Sequence, residues 1–167
     1  MLRRTAFVVA AVALVGLTAR AQTPALRSAP KESPVKQVAK GTFIVKLTPG
    51  PATDDPAVAD LGHMTIDKLF HGDIEGTSKG EMLTAGTATK GSAGYVAMER
   101  VTGKLHGRAG SFALVHRALM RNGTPQEWTV AVVPGSGTED LAGLEGSLRI
   151  TVEHGTHFYD LEYTLPK

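Results

Sequence analysis

Two ionisable side chains stand among apolar residues in a part of the chain that alternates like β-structure. Glu99 has apolar residues two positions away on both sides, and so does His116. Residues two apart on a strand share a face, so both side chains are predicted to point into an apolar interior. Burial raises the pKa of a carboxyl group and suits it to acid or base work. Glu99 and His116 are therefore the candidate catalytic residues.

A structural role for the same two residues stays open beside the chemical one. The sequence GRAG at residues 107–110 predicts a hairpin turn between two strands. Strands that pair symmetrically about this turn place Glu99 opposite about residue 118, and residue 101 opposite about residue 116. Glu99 and His116 would then be diagonal cross-strand neighbours within side-chain reach. They would either form a buried pair that fixes the register or face a guest molecule.

Four further residues are candidate ligand-binding groups beside Glu99 and His116. Tyr95, Trp128 and Tyr163 each combine an apolar body with a polar tip, the kind of group that lines ligand cavities. Ser78 lies on a strand face of small and apolar residues, where a sheet curves tightly or lets another group approach closely. Each aromatic residue could equally be an ordinary core residue, and Ser78 could bond only to a neighbour.

Several kinds of chemistry have no signature in the chain. There is no cysteine, hence no thiol nucleophile, thiolate ligand or disulfide. No G-x-S-x-G elbow is present, and no two histidines have the spacing of a metal site. His154 and His157 are better explained as parts of an exposed turn. The GSGT sequence at 135–138 lacks the lysine of a phosphate-binding loop. We therefore predict no metal and no cofactor.

The N-terminal segment has the three regions of a secretory signal peptide. A short basic start precedes an apolar run, AFVVAAVALVGL at 6–17, and an A-x-A cleavage site ends at Ala21. The run is short for a bilayer span. Residues 1–21 are predicted to be removed, which makes the protein exported, to the periplasm or the medium, without a membrane segment. The proline-containing residues 22–39 are predicted to be a disordered linker.

Charge excludes one class of partner. The formal net charge of +2 becomes −1 once the three arginines of residues 1–21 are removed. A protein without a basic excess has little with which to neutralise phosphates, so we expect no nucleic-acid partner.

Residues 40–167 read as one all-β domain. Eight runs of alternating apolar residues are separated by glycine-rich turns, which is typical of a barrel or sandwich. Asn122-Gly123 predicts a type I′ turn. Ser136 and Glu139 have the spacing of a capping box, so we expect at most one short helical turn. The loop at 49–60 could be a lid or a passive surface loop.

The chain resembles a bacterial family of uncharacterised proteins whose fold is similar to the allene oxide cyclase barrel. The segments that carry the resemblance are KLFHGD (68–73), EGTS (75–78), GYVAME (94–99), GRAGSF (107–112), His116 and VVPGSGT (132–138). The resemblance implies an eight-stranded antiparallel barrel. Remote relatives with this fold bind small apolar molecules and guide cyclisation or coupling, but fold alone does not decide function.

Three functions follow as alternatives. The first is an exported barrel that binds a small, mostly apolar molecule in its lumen without catalysis, because eight strands leave room for one small ligand. The second is a cyclase or isomerase acting on such a molecule through Glu99 and His116. The third is a fully packed structural or assembly module. Outward apolar residues, among them Ile44, Val96 and Met98, predict either a surface for homo-oligomer formation or a second layer over the barrel.

Overall fold

The computed structural model describes residues 35–166 of the chain. The predicted signal peptide and most of the predicted linker therefore lie outside the described residues. The barrel begins earlier than predicted, since the first strand starts at Gln37 and Ala39 is fully buried in the core. Because the residues around Gln37 and Ala39 are mostly polar, the sequence pattern does not show where this strand starts. Within residues 35–166, no helix is long and apolar enough to cross a membrane.

Eight antiparallel strands form a closed barrel, which confirms the predicted fold. Each strand pairs with the next along the chain, and the last strand returns to pair with the first. The strands are β1 (Gln37–Pro49), β2 (Leu61–Gly72), β3 (Ile74–Gly86), β4 (Ala93–Leu105), β5 (Arg108–Arg121), β6 (Thr124–Val132), β7 (Glu145–Glu153) and β8 (Thr156–Thr164).

Alternation along the strands decides which side chains fill the barrel. Inward positions are apolar and mostly buried, as on β5, where Phe112 and Leu114 are buried next to the exposed Val115. Glycines on β3 and β4 let the wall curve. Gly76 pairs with Gly103, and a Cβ on Gly76 would lie 2.3 Å from the carbonyl oxygen of Thr102. The small-residue face predicted for β3 is thus a site of close backbone approach.

One end of the barrel is closed by the connection between β6 and β7. A 3-10 turn at Glu139–Leu141 places Leu141 and Leu144 in the main core, which also contains Leu165. The predicted capping box is wrong, because the hydroxyl of Ser136 accepts a hydrogen bond from the backbone N–H of Ala113 instead. The segment around Ser136 is hydrogen-bonded to β5 and does not need a helix cap.

A second 3-10 turn, at Pro56–Val58, exceeds the single helical turn that we predicted. It lies in the loop after β1. The side chain of Asp55 accepts a hydrogen bond from the backbone N–H of Ala57 at 2.9 Å and caps the turn. Asp followed by Pro is a helix-start signal that explains this turn.

The closed end is also tied across the barrel by Tyr159. Its hydroxyl accepts a hydrogen bond from the Ile74 backbone N–H at 2.7 Å and donates one to the His71 carbonyl oxygen at 3.4 Å. Burial raises the pKa of Tyr159 to about 12. Gly41, opposite Tyr159, leaves room for the phenol, since a Cβ there would lie 2.6 Å from the hydroxyl.

The opposite end, which we call the mouth, is less well covered. The β1–β2, β3–β4, β5–β6 and β7–β8 connections lie at this end. Leu47, Trp128 and Val152 occupy inward positions here, yet 45%, 37% and 49% of their surface is exposed. The mouth is thus an apolar rim open to solvent.

One seam in the wall is thinly paired. β6 and β7 are joined only by the pair Ala131–Ser147, near the closed end. Toward the mouth, no further residue pair joins the two strands, and Thr124 to Thr129 are all exposed. The hydrogen-bonded ladder between β6 and β7 is therefore missing on the mouth side of the wall.

The outer wall carries apolar side chains that no described residue covers. Ile44, Val96 and Met98 are exposed, as predicted. Val115 extends this surface, since it pairs with Met98 across β4 and β5. Association of copies through this surface stays a prediction.

Candidate functional site

The hairpin of β4 and β5 brings Glu99 and His116 together through a register that differs from the predicted one. The turn residues are His106 and Gly107, with φ of 48° and 80°, as a type I′ turn needs. Glu99 therefore lies opposite Leu114, and His116 lies opposite Ala97. The prediction centred the turn on Arg108 and Ala109, two residues late.

The register error leaves the predicted contact intact. Moving the turn by two residues keeps every side chain on its face, because the strand period is two. It only moves His116 from one diagonal of Glu99 to the other. The predicted pairing is confirmed, with the His116 Nε2 atom 2.8 Å from the Glu99 Oε1 atom.

Glu99 is the centre of a four-residue group that we call the Glu99 network. Its Oε1 atom accepts hydrogen bonds from Lys68 Nζ at 2.7 Å and from His116 Nε2. Its Oε2 atom accepts one from the Ser78 hydroxyl at 2.7 Å. The four residues come from β2, β3, β4 and β5, so one carboxylate joins four adjacent strands. Ser78, predicted to bond either a ligand or a neighbour, bonds a neighbour.

Lys68 is a member of the network that the sequence prediction missed. It shares the inward face of β2 with Ile66 and Phe70. The signal was present, since a lysine among inward apolar residues needs a buried counter-charge. Its ammonium group lies 4.8 Å from the ring centre of Phe43 and 5.9 Å from that of Phe70. The lysine thus has aromatic rings on one side and the carboxylate on another.

The network forms a layer across the barrel. Toward the closed end lies the main core, and toward the mouth lies a small cluster of Ile66, Met82 and Ala97. Gly80 makes room for the carboxylate, because a Cβ on Gly80 would lie 2.6 Å from the Cβ of Glu99. The polar layer therefore separates a filled lower half from a less crowded upper half.

Electrostatics keep Glu99 ionised. Burial alone would raise the pKa of Glu99, but the hydrogen bonds and charges of His116 and Lys68 outweigh burial and lower it to about 2. This reverses the prediction of a raised value, which did not include Lys68. For Lys68 the balance is different: burial lowers its pKa, and Glu99 only partly offsets that. The burial of the Glu99 charge is thus well compensated by its partners, whereas the burial of the Lys68 charge is compensated only in part.

The network also assigns the tautomer of His116. An ionised carboxylate only accepts hydrogen bonds, so Nε2 of His116 carries the proton that points to Glu99. Nδ1 of the same ring has no hydrogen-bond partner among residues 35–166. It is left as an acceptor in the neutral ring and as a donor in the imidazolium ion.

Accessibility differs within the network. The side chains of Lys68 and His116 keep 7% and 4% of their surface accessible, whereas that of Glu99 keeps none. Because the closed end is filled by buried side chains, we assign this accessible surface to the mouth side. A molecule entering the mouth would meet Lys68 and His116 and not Glu99.

Two of the three predicted aromatic site residues lie near this entrance. Tyr95 and Trp128 flank Ala118 in one row across β4, β5 and β6. Burial raises the pKa of Tyr95, and the nearby Trp128 side chain partly opposes this. The two aromatic side chains are thus mouth residues above the network.

Tyr163 is not brought to the network. It lies at the closed end, where its hydroxyl is 2.7 Å from His106 Nδ1 and donates a hydrogen bond to Gln37 Oε1 at 3.0 Å. Burial raises the pKa of Tyr163. These bonds fasten the first strand to the last strand and to the β4–β5 turn, which is a structural role.

Other surface features offer less chemistry. Within residues 35–166, no three histidine, aspartate or glutamate side chains are grouped to hold a metal ion. Two open clefts of about 300 and 310 Å³ lie elsewhere, one along Glu145 and Glu162 and the other along Gly103 and Thr138. Neither cleft includes a residue of the Glu99 network.

Fold and site together define a closed antiparallel barrel with a buried four-residue polar layer beneath an apolar mouth. A family model described as a protein of unknown function, DUF3224, matches residues 39–163, and the chain belongs to this family. The chain is also similar to a crystal structure of a DUF3224 protein of unknown function from Shewanella oneidensis MR-1. The two share 44% identity, with a TM-score of 0.72, over 80% of this chain and 100% of the other. No curated protein matches the chain.

Proposed function

We propose that the protein binds a small, mostly apolar molecule at the mouth of its barrel, above Lys68 and His116. The observation that carries the proposal is the uncovered apolar rim, where Leu47, Trp128 and Val152 face inward yet stay exposed. Inward apolar surface that the protein leaves in water gains free energy when a guest covers it.

The guest occupies the upper half of the barrel only. Below the network, large side chains such as Phe112, Leu114 and Tyr159 are almost fully buried and fill the interior. The predicted ligand position is thereby narrowed from the whole lumen to the mouth. A fully packed module is the alternative in which the mouth binds nothing.

Binding without catalysis fits Glu99 better than an acid or base role. Its side chain is fully buried, and both its oxygens already accept hydrogen bonds. In the alternative, a cyclase or isomerase, His116 would take the proton at Nδ1. Glu99 would then be a positioning residue that holds the ring and stabilises its charge.

The single tryptophan of the chain provides the test of binding. A neutral apolar dye, N-phenyl-1-naphthylamine, should bind with energy transfer from Trp128, because both would lie at the mouth. Changing Val152 to Asp should weaken dye binding by about tenfold, since a charge replaces apolar rim surface. Fluorescence titration measures both effects.

A matched control distinguishes binding at the mouth from non-specific binding of the dye. Val96 is as exposed as Val152 but lies on the outer wall, so Val96→Asp should leave dye affinity unchanged. Absence of saturable energy transfer, or equal losses in the two variants, would show that the mouth is not a binding site.

The proposed place of action is outside the cytoplasm. The support is the basic start, apolar run and A-x-A site within residues 1–21. Expression of the full chain in a Gram-negative host should give a product that begins at Gln22 in the periplasmic fraction. Intact-mass measurement of that fraction checks the cleavage, and a product retaining residues 1–21 in the cytoplasm would contradict export.

A further inference from the structure

We infer that the molecule bound at the mouth carries a carboxylate group, which Lys68 and His116 hold together, and that its binding is accompanied by uptake of a proton. This inference rests on the proposed function and specifies the chemical class of the ligand. Three observations support it: the spare donors of Lys68, the open nitrogen of His116 and the charge balance of the Glu99 network.

Lys68 has more donors than the barrel provides acceptors. Its ammonium group has three N–H bonds, and one is used by Glu99. The aromatic rings of Phe43 and Phe70 lie nearby and accept no strong hydrogen bond. A largely desolvated ammonium group with unused donors is costly, and a further anionic acceptor lowers that cost. The accessible part of Lys68 is where such an acceptor would arrive.

His116 offers the second contact. Both Lys68 Nζ and His116 Nε2 lie within 2.8 Å of the same oxygen of Glu99, so the two side chains are neighbours. The Nδ1 atom of His116 has no partner among residues 35–166. When the ring is protonated, Nδ1 becomes a second N–H donor of the ring. An ammonium group and an imidazolium ring on neighbouring side chains can together bind the two oxygens of a carboxylate.

The charge balance links binding to a proton. With a neutral His116, the charges of Lys68 and Glu99 cancel. A bound carboxylate would then leave one uncompensated negative charge in a poorly hydrated place, and protonation of His116 restores neutrality. The other titratable groups that face this region are Tyr95 from β4 and His157 from β8, whose ring is 5.0 Å from that of Phe43.

A matched pair of ligands tests the inference. 4-Phenylbutanoate and 4-phenylbutan-1-ol share their apolar part and differ in the head group. Each is used to displace the neutral dye from the full-length mature protein at pH 6. The acid should bind about tenfold to a hundredfold more tightly than the alcohol, as expected for a charge-assisted contact.

The pH profile is the readout that a merely structural role would not change. Because each bound acid takes up one proton, affinity for the acid should fall as pH rises, by up to about tenfold per pH unit, while affinity for the alcohol stays constant. In His116→Gln, which keeps an N–H for Glu99 but takes up no proton, that pH dependence should vanish. The buffer dependence of the calorimetric binding enthalpy should give about one proton taken up per acid bound.

Variants of Lys68 complete the test. Lys68→Met combined with Glu99→Gln removes both charges at once, and the acid-to-alcohol affinity ratio should fall to about one. Lys40→Met, which removes an exposed lysine on the outer wall, should leave the ratio unchanged. Equal affinity of the wild-type protein for acid and alcohol would overturn the inference but leave dye binding, and with it the proposed function, intact. Absence of dye binding would overturn both.

Discussion

Replacing Glu99 with glutamine should lower the free energy of unfolding by about 3–5 kcal/mol, as expected when one partner of a buried ion pair is removed. The carboxylate accepts hydrogen bonds from Lys68, His116 and Ser78. Glutamine keeps the size but leaves the ammonium group of Lys68 buried without a counter-charge. Denaturant unfolding at pH 7 measures the change.

A double variant shows whether the loss comes from charge. Lys68→Met with Glu99→Gln removes both ions and should recover a large part of the lost stability, since apolar replacement of a buried pair is often close to neutral. Asp160→Asn, which removes the exposed partner of Lys40, should cost less than about 1 kcal/mol. Equal instability of the single and double variants would mean that shape, not charge, explains the effect.

The loss of stability at acid pH provides a second measure of the contribution of Glu99 to the free energy of unfolding. In the folded protein the pKa of Glu99 is about 2, below its ordinary value of 4.5. The unfolded chain therefore binds more protons between these values. The contribution of Glu99 is complete above pH 4.5 and is lost as pH falls toward 2. Glu99→Gln should be less stable at pH 7 and should lose less stability between pH 4.5 and 2 than the wild type.

Changing Leu141 to alanine should lower the free energy of unfolding by about 2–5 kcal/mol, the range for emptying a buried leucine site. Leu141 is 1% exposed and packs beneath Gly110, where a Cβ would lie 3.1 Å from its Cγ. It closes the barrel next to the seam of β6 and β7, which has one residue pair only. Thermal and denaturant unfolding give the loss.

Leu119 is the matched control for Leu141. It is an exposed leucine on the outer face of β5, and Leu119→Ala should change stability by no more than about 0.5 kcal/mol. A Leu141→Ala variant as stable as this control would show that the β6–β7 connection contributes no stability to the barrel.

Much of the fold could be predicted from the sequence because a strand has a period of two. The inward faces of β4 and β5 follow from alternation alone, and so does the proximity of Glu99 and His116. Asn122-Gly123 forms the predicted turn, with positive φ at both residues. These features follow from local rules that can be applied to each short segment of the sequence separately.

Features that depend on non-local packing could not be predicted in the same way. The exact hairpin register depends on the positive φ of His106. A histidine in the sequence does not indicate that its φ is positive. Lys68 could not be linked to Glu99 from the sequence, because β3 lies between their two strands and the contact between them is diagonal. Tyr163 was grouped with Tyr95 and Trp128 as a ligand-binding candidate, since alternation does not tell the closed end from the mouth.

The thin seam between β6 and β7 has a consequence for behaviour at high protein concentration. A closed barrel hides the backbone of its strands, but the missing ladder between β6 and β7 leaves two strand edges that could pair with another chain. Pro125 has no N–H to donate there, and the register shift at Leu119 and Met120 bends β6 away from a flat edge. Charged Arg149 and Glu153 line the exposed part of β7. Pro125, the register shift and the charged residues of β7 thus discourage the edge-to-edge addition of strands that leads to aggregates.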